Sequence, residues 1–304
     1  MQVLLETEVT PDQIDHLGHM NVMFYGAHAR AGAANLLGSL GLAPSADLAV
    51  VQRDTYVRHH HEQLVGAPLE VRGGVLDAGP DHLRVYEELA NTDTGAIAAT
   101  FVLGFEAVDP ATRERRPIGD AALDAAARAT VPLPEHGRSR SITIDDDPTV
   151  GAPPLALLQE RRLAERLPRT IAESACDADG FVAPTAVAEL VWGGEPVPDH
   201  VFRPMESLAD GGQMGFATME TRAAWARGAR AGDRIQSFGA ELDIRDKTML
   251  SRHWVYDLDR ETLVAVFSVV SLAFDISRRR AVTIPGDVRR RMETRLHLDL
   301  VPPT

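Results

Sequence analysis

Between Thr10 and Gly26 the chain reads TPDQIDHLGHMNVMFYG. Asp15, Gly18, His19, Asn21 and Tyr25 crowd into this stretch, where polar punctuation runs straight into an apolar, helix-like segment. A helix N-terminus leaves backbone N–H groups unpaired and carries partial positive charge. Such donors suit the oxyanion that forms when a carbonyl is attacked. Asp15 precedes the helix by a few residues and stands on the opposite flank of such a carbonyl. As a general base it activates water, and as a nucleophile it forms a mixed anhydride that water cleaves. Sequence leaves both roles open. The catalytic candidates are Asp15, His19 and Asn21, the last two as orienting groups. Gly18 allows close backbone approach, amides around Met20, Val22 and Met23 are oxyanion donors, and Tyr25 shapes a pocket or donates a hydrogen bond. The plain alternative is that an Asp before a helix caps it or makes a turn, and that a Tyr in an apolar helix is core.

These residues need a helix behind them and a sheet beneath it. The helix is expected over about Met20 to Gly41, rich in alanine, with Met23, Leu36, Leu37 and Leu40 buried and glycines to stop it. The segments LAVVQRDTYVRH, APLEVRGGVLD, HLRVYEELAN and AIAATFVLGFEAVD follow, alternating or β-branched and divided by Gly, Pro, Asp and Asn. One long helix wrapped by an antiparallel sheet is an α+β unit.

The chain then repeats itself. Asn91 to Pro110 matches Asp257 to Ile276 at a constant offset, with Asp93 on Asp259, Ala99 on Ala265, Phe101 on Phe267 and Asp109 on Asp275. Val65 to Gly73 falls on Ala231 to Gly239, and Asp15 to His19 on Asp177 to Phe181. Two copies give a fused pseudo-dimer: residues 1–118, a linker over 119–168, and residues 169–304. A helix over Leu155 to Leu167 is expected in the linker, and another near the C-terminus. In the second copy Asp177 and Gly180 keep their places, but His19 becomes Phe181, Asn21 becomes Ala183 and Tyr25 becomes Val187. The first copy is therefore read as the working one.

Composition excludes several classes. The formal charge of −13 repels nucleic acid phosphates and anionic lipid. A single cysteine, Cys176, rules out an intrachain disulfide framework and fits a reducing cytoplasm. The N-terminus lacks the pattern of a signal peptide, and the longest apolar run, Leu263 to Phe274, is too short for a helical span. A soluble cytoplasmic protein is expected. Arg58 to Glu62, RHHHE, invites a metal reading, but only His59 and His61 share a strand face and no third ligand has suitable spacing. No metal or cofactor is expected. The islands RERR and RRR (Arg278 to Arg280, Arg289 to Arg291) are either phosphate contacts or solvated faces.

The pattern Asp15-x-x-Gly18-His19-x-Asn21-x-x-x-Tyr25 resembles the signature of hotdog-fold acyl-CoA thioesterases, the 4-hydroxybenzoyl-CoA thioesterase group. YVRHHHEQLVGAPLEV resembles that group's strand pair, with Pro68 departing from it, and TGAIAATFVLGFEAVDPATRERRPI its closing strand and tail. The resemblance covers Val3 to Ile118, and more faintly Thr170 to Arg280. It implies two hotdog units in one chain, a monomeric pseudo-dimer or a homodimer of it. It implies hydrolysis of an acyl-CoA thioester to an acid and free CoA, with coenzyme A present only as part of the substrate. It places His59, His61 or Glu62 near Asp15, and sites between paired units, so that Trp192, Met214, Phe216 and Met219 are candidates for one wall. Two rivals keep the scaffold: an acyl-CoA-binding module without turnover, and an enoyl-CoA hydratase, whose paired Asp and His are not evident. The acyl group, and CoA against acyl carrier protein, stay open.

Overall fold

The computed structural model describes residues 1–15, 17–198, 205–208, 210–226 and 228–300. The chain divides into two compact units, Met1–Arg140 and Ser141–Thr304.

In the first unit, β1 (Gln2–Glu8), β2 (Ala49–His59), β3 (Pro68–Ala78), β4 (His82–Asn91) and β5 (Ile97–Val108) form an antiparallel sheet in the order β1-β3-β4-β5-β2. The strand segments read from the sequence coincide with β2 to β5. Helix α1 (Val22–Ser39) lies on β1, β3 and β4. Its buried side chains are Tyr25, His28, Ala29, Gly32, Ala33, Leu36 and Leu37, a stripe of helical period. Met23, expected in the core, is 65% exposed at the open end of the helix. The small stripe brings helix and sheet close: a Cβ on Gly32 would lie 2.7 Å from Val71 Cγ1. The helix stops at Leu40, and Gly41 turns the chain with φ 78°. Helix α2 (Asp120–Arg128) adds Ala126 to the same core, so residues 119–140 pack with the first unit.

The second unit opens with α3 (Leu155–Glu160). This is about half the helix expected there, because Arg162 takes φ 54° and Leu163 turns back into the core. Strand β6 (Arg169–Thr170) and helix α4 (Val187–Trp192) follow. Then come β7 (Met205–Ser207), β8 (Gln213–Trp225), β9 (Arg234–Ile244), β10 (Thr248–Asp257), β11 (Thr262–Asp275), β12 (Arg280–Ala281) and α5 (Gly286–Glu293). The order β6-β9-β10-β11-β8 reproduces that of the first unit, with β7 on β8 and β12 on β11. The repeat is legible in the strand ends: Pro68–Ala78 and His82–Asn91 map onto Arg234–Ile244 and Thr248–Asp257 at one offset. Helix α4 is much shorter than α1, since Gly193 and Gly194 interrupt it, Gly194 at φ 82°. Of the aromatic and methionine residues singled out here, Met214 is fully buried, while Trp192 is 42% exposed and stands edge-on to His253 and Phe267.

Candidate active site

The opening stretch folds as a tight loop. Pro11–Gln13 makes one 3-10 turn, and Ile14 bridges to Met20. Asp15 N–H donates to His19 O at 3.0 Å, and Gly18 N–H to Asp15 O at 3.0 Å. Gly18 sits at φ 84°, a conformation that favours glycine, which accounts for its place in the motif.

Within that loop Asp15 Oδ1 accepts the Leu17 N–H at 2.8 Å. Its Oδ2 is 3.7 Å from His19 Nδ1, both side chains being about 15% exposed. The other edge of the ring, His19 Nε2, is 3.5 Å from Glu62 Oε1. An imidazole therefore stands between two carboxylates, beside the start of α1.

Asn21 is the N-cap of α1. Its Oδ1 accepts the Met23 N–H at 3.0 Å, which leaves only its Nδ2 for other duties. Replacing it by alanine is expected to destabilise the protein by about 1 kcal/mol, with Asn21→Asp close to neutral; thermal melting of the two variants checks this. Capping also corrects the picture of the oxyanion donors. Met20 N–H is engaged by Gln63 O at 2.8 Å, and Met23 N–H by the cap. The Met20 side chain is buried in the core. Among the described residues none accepts the Val22 N–H, so of these amides it is the one open to a ligand.

Tyr25 does not face outward. It is buried, its hydroxyl donates to His61 O at 3.2 Å, and its ring meets His59 edge-on with centroids 5.2 Å apart. Burial, with Asp15 nearby, pushes the phenol up to about 12, so it is a neutral donor throughout the working range. The three histidines diverge: His60 Nε2 lies 3.2 Å from Thr100 Oγ1 and His61 Nδ1 lies 2.8 Å from Ile97 O. Both their backbone N–H groups donate to Ala98 O, which ends the alternation of β2. Desolvation and neighbouring positive groups push His59 and His60 down to about 4, leaving both rings neutral near pH 7. Among the described residues no group of His, Cys, Asp and Glu is placed to hold a metal ion. Of the strand-end residues named from the sequence, Glu62 is the one whose side chain reaches the Asp15 loop.

The arginine islands are ion-paired: Arg115 with Asp81 and Glu106, Arg278 with Asp210 and Asp275, Arg291 with Asp287 and Glu206. Burial raises the Cys176 thiol above its ordinary pKa, which disfavours the thiolate. Among the described residues no helix is long and apolar enough to cross a membrane.

Sequence reading missed Gln63, which is 4% exposed and hydrogen-bonded at both ends of its amide. The signal for it lay in the repeat, which sets Gln63 against Ala229.

Comparison with known proteins bears on the fold. Residues 9–140 match the family described as the thioesterase-like superfamily. No curated protein sequence matches. Among solved structures, the 12:0-ACP thioesterase from Umbellularia californica is similar with a TM-score of 0.65 at 13% identity, over 88% of this chain and 93% of that one. An acyl-ACP thioesterase from Bacteroides thetaiotaomicron VPI-5482 gives a TM-score of 0.58 at 12% identity, over 88% of this chain and 96% of that one. At such identities the likeness shows the fold, two hotdog units fused in one chain. The match to the thioesterase-like superfamily covers the first unit, and the double-hotdog fold extends the likeness over the rest of the chain.

Proposed function

We propose that this protein hydrolyses an acyl-CoA thioester, with Asp15 as general base or nucleophile. As base, Asp15 takes a proton from water while the water oxygen bonds to the acyl carbon; the C–S bond then breaks and the thiolate leaves, to be protonated. As nucleophile, its carboxylate bonds to the acyl carbon, the thiolate leaves, and water cleaves the anhydride. In both, the Val22 N–H and the positive end of α1 stabilise the oxyanion, an effect of about 3 kcal/mol per donor. His19 and Glu62 hold the carboxylate in place.

One observation carries this reading. Both copies fold the same loop, but the first sets His19 against the Asp carboxylate where the second has Phe181. In the second copy Asp177 Oδ1 accepts from both Asp179 N–H and Phe181 N–H at 3.0 Å. Asp15 uses one oxygen for the turn and turns the other toward His19.

The similar structures named for acyl carrier protein substrates raise the question of carrier. The charge of −13 disfavours an acidic carrier protein as partner. The test is thiol release from short, long, aromatic and charged acyl-CoAs, and from the same acyl groups on acyl carrier protein. Release from at least one acyl-CoA is expected, at a higher kcat/KM than from its carrier-bound counterpart. Release from the carrier alone overturns the choice of CoA, and release from neither overturns the proposal.

A further inference from the structure

Around the first turns of α1 the first unit carries buried or half-buried polar side chains: Gln13, Tyr25, His28, His59 and Gln63. At the matching positions of the second unit stand Ala175, Val187, Leu190, Trp225 and Ala229, which together belong to or pack on one apolar cluster. The loop backbone is nonetheless the same in both. Met20 N–H donates to Gln63 O at 2.8 Å, and Val182 N–H to Ala229 O at 2.8 Å. Asn21 N–H donates to Gln13 O at 2.9 Å, and Ala183 N–H to Ala175 O at 2.9 Å. Gly18 and Gly180 close the turn through equivalent bonds of 3.0 Å to Asp15 O and Asp177 O. An apolar layer thus suffices to fold this loop, and burying polar groups instead is the costlier choice.

The polar layer does have a connection to the carboxylate. Gln63 Nε2 donates to His61 O at 3.3 Å, and Tyr25 OH donates to the same oxygen at 3.2 Å. Gln63 Oε1 accepts from Asn91 Nδ2 at 2.9 Å, which anchors the amide to the end of β4. His61 directly precedes Glu62, whose carboxylate lies 3.5 Å from His19, and His19 lies 3.7 Å from Asp15.

We propose that Gln63 is a positioning residue, whose side-chain amide fixes the His61–Glu62 peptide and through it the Glu62–His19–Asp15 line. This rests on the reading of Asp15 given above. Gln63 lies a full residue chain away from the carboxylate, so its effect falls on the rate of the chemical step and leaves substrate binding unchanged.

Gln63→Met keeps the volume and removes both hydrogen bonds. Its kcat per folded molecule is expected to fall roughly ten- to a hundredfold with KM unchanged, as for a displaced catalytic group. Gln63→Ala, which copies the second unit, is expected to fall equally. In a His19→Ala background, measured by single turnover, Gln63→Met is expected to have no further effect, because the line is already cut. Wild-type kcat in Gln63→Met, a change confined to KM, or a full effect persisting without His19 would each overturn the proposal. Asp15→Asn assayed in parallel separates the two failures. If it is inactive while Gln63→Met is fully active, only the positioning role fails; if it is fully active, the reading of Asp15 itself fails.

Discussion

The Asp15→Asn variant is expected to retain about one-hundredth of the wild-type kcat or less, with KM within a few-fold and no change in melting temperature. Two facts make this substitution informative. The turn needs one acceptor oxygen, since Asp15 Oδ1 takes the Leu17 N–H, and an asparagine Oδ1 does the same. The chemistry needs the other oxygen, which faces His19 and whose charge the substitution removes. Loss of a general base removes about a hundredfold to ten-thousandfold, and loss of a nucleophile at least as much. Asp177→Asn is the control: that residue makes the same turn in the second unit, with Phe181 where the first has His19, and turnover is expected to stay at the wild-type level. Steady-state kinetics on the best acyl-CoA, with melting curves alongside, decide the matter. More than a tenth of wild-type kcat in Asp15→Asn removes Asp15 from the mechanism.

That contrast between copies shows how far the sequence could be read. Strands β2 to β5 were legible because alternation along Ala49–His59 or His82–Asn91 has no other use than to give a sheet two faces. The repeat was legible because equal strand lengths keep equal spacing. Helix length was less so: the apolar pattern around Leu155 to Leu167 suits a helix, but Arg162 bends the chain so that Leu163 can reach the core. In the loop, the turn at Asp15 and Gly18 was legible in the motif, and the nearness of Glu62 followed from the family resemblance. The capping duty of Asn21 and the inward hydroxyl of Tyr25 were not legible, because both depend on which nearby donor or acceptor each side chain finds once folded. Gln63 carries no chemistry of its own, so a search for reactive types passes over it.

The second large effect concerns Glu87, and it shows up in stability. Glu87 is fully buried in β4, and neither carboxyl oxygen has a hydrogen-bond partner. It lies opposite Gly73 and Phe101 in the sheet, and α1 passes over it at Gly32, whose Cβ would come within 3.2 Å of Oε1. The groups found around it, Gly32, Val71, Gly73 and Leu4, carry no charge. Burial therefore raises its pKa well above the ordinary carboxylate value. The folded chain holds this proton while the unfolded chain releases it near pH 4.3. Glu87 thus favours the folded state fully below that pH, and the contribution is lost as pH rises toward the folded-state pKa. The loss runs at about 1.4 kcal/mol per pH unit for the one proton. Glu87→Gln has a similar shape and no proton to lose. Relative to wild type, the variant is expected to gain up to about 1.4 kcal/mol of stability per unit as pH rises above about 5, until the folded-state pKa is reached. Glu241, which burial pushes up to about 7, titrates in the same direction but does so in both proteins, so the difference cancels it. Urea unfolding at several pH values measures the difference directly. Parallel curves for wild type and variant would mean that Glu87 is ionised in the folded protein, with a compensating cation beside it. If the curves diverge at that slope, α1 is seated over a neutral carboxylic acid, and alkaline pH loosens the helix that bears the site.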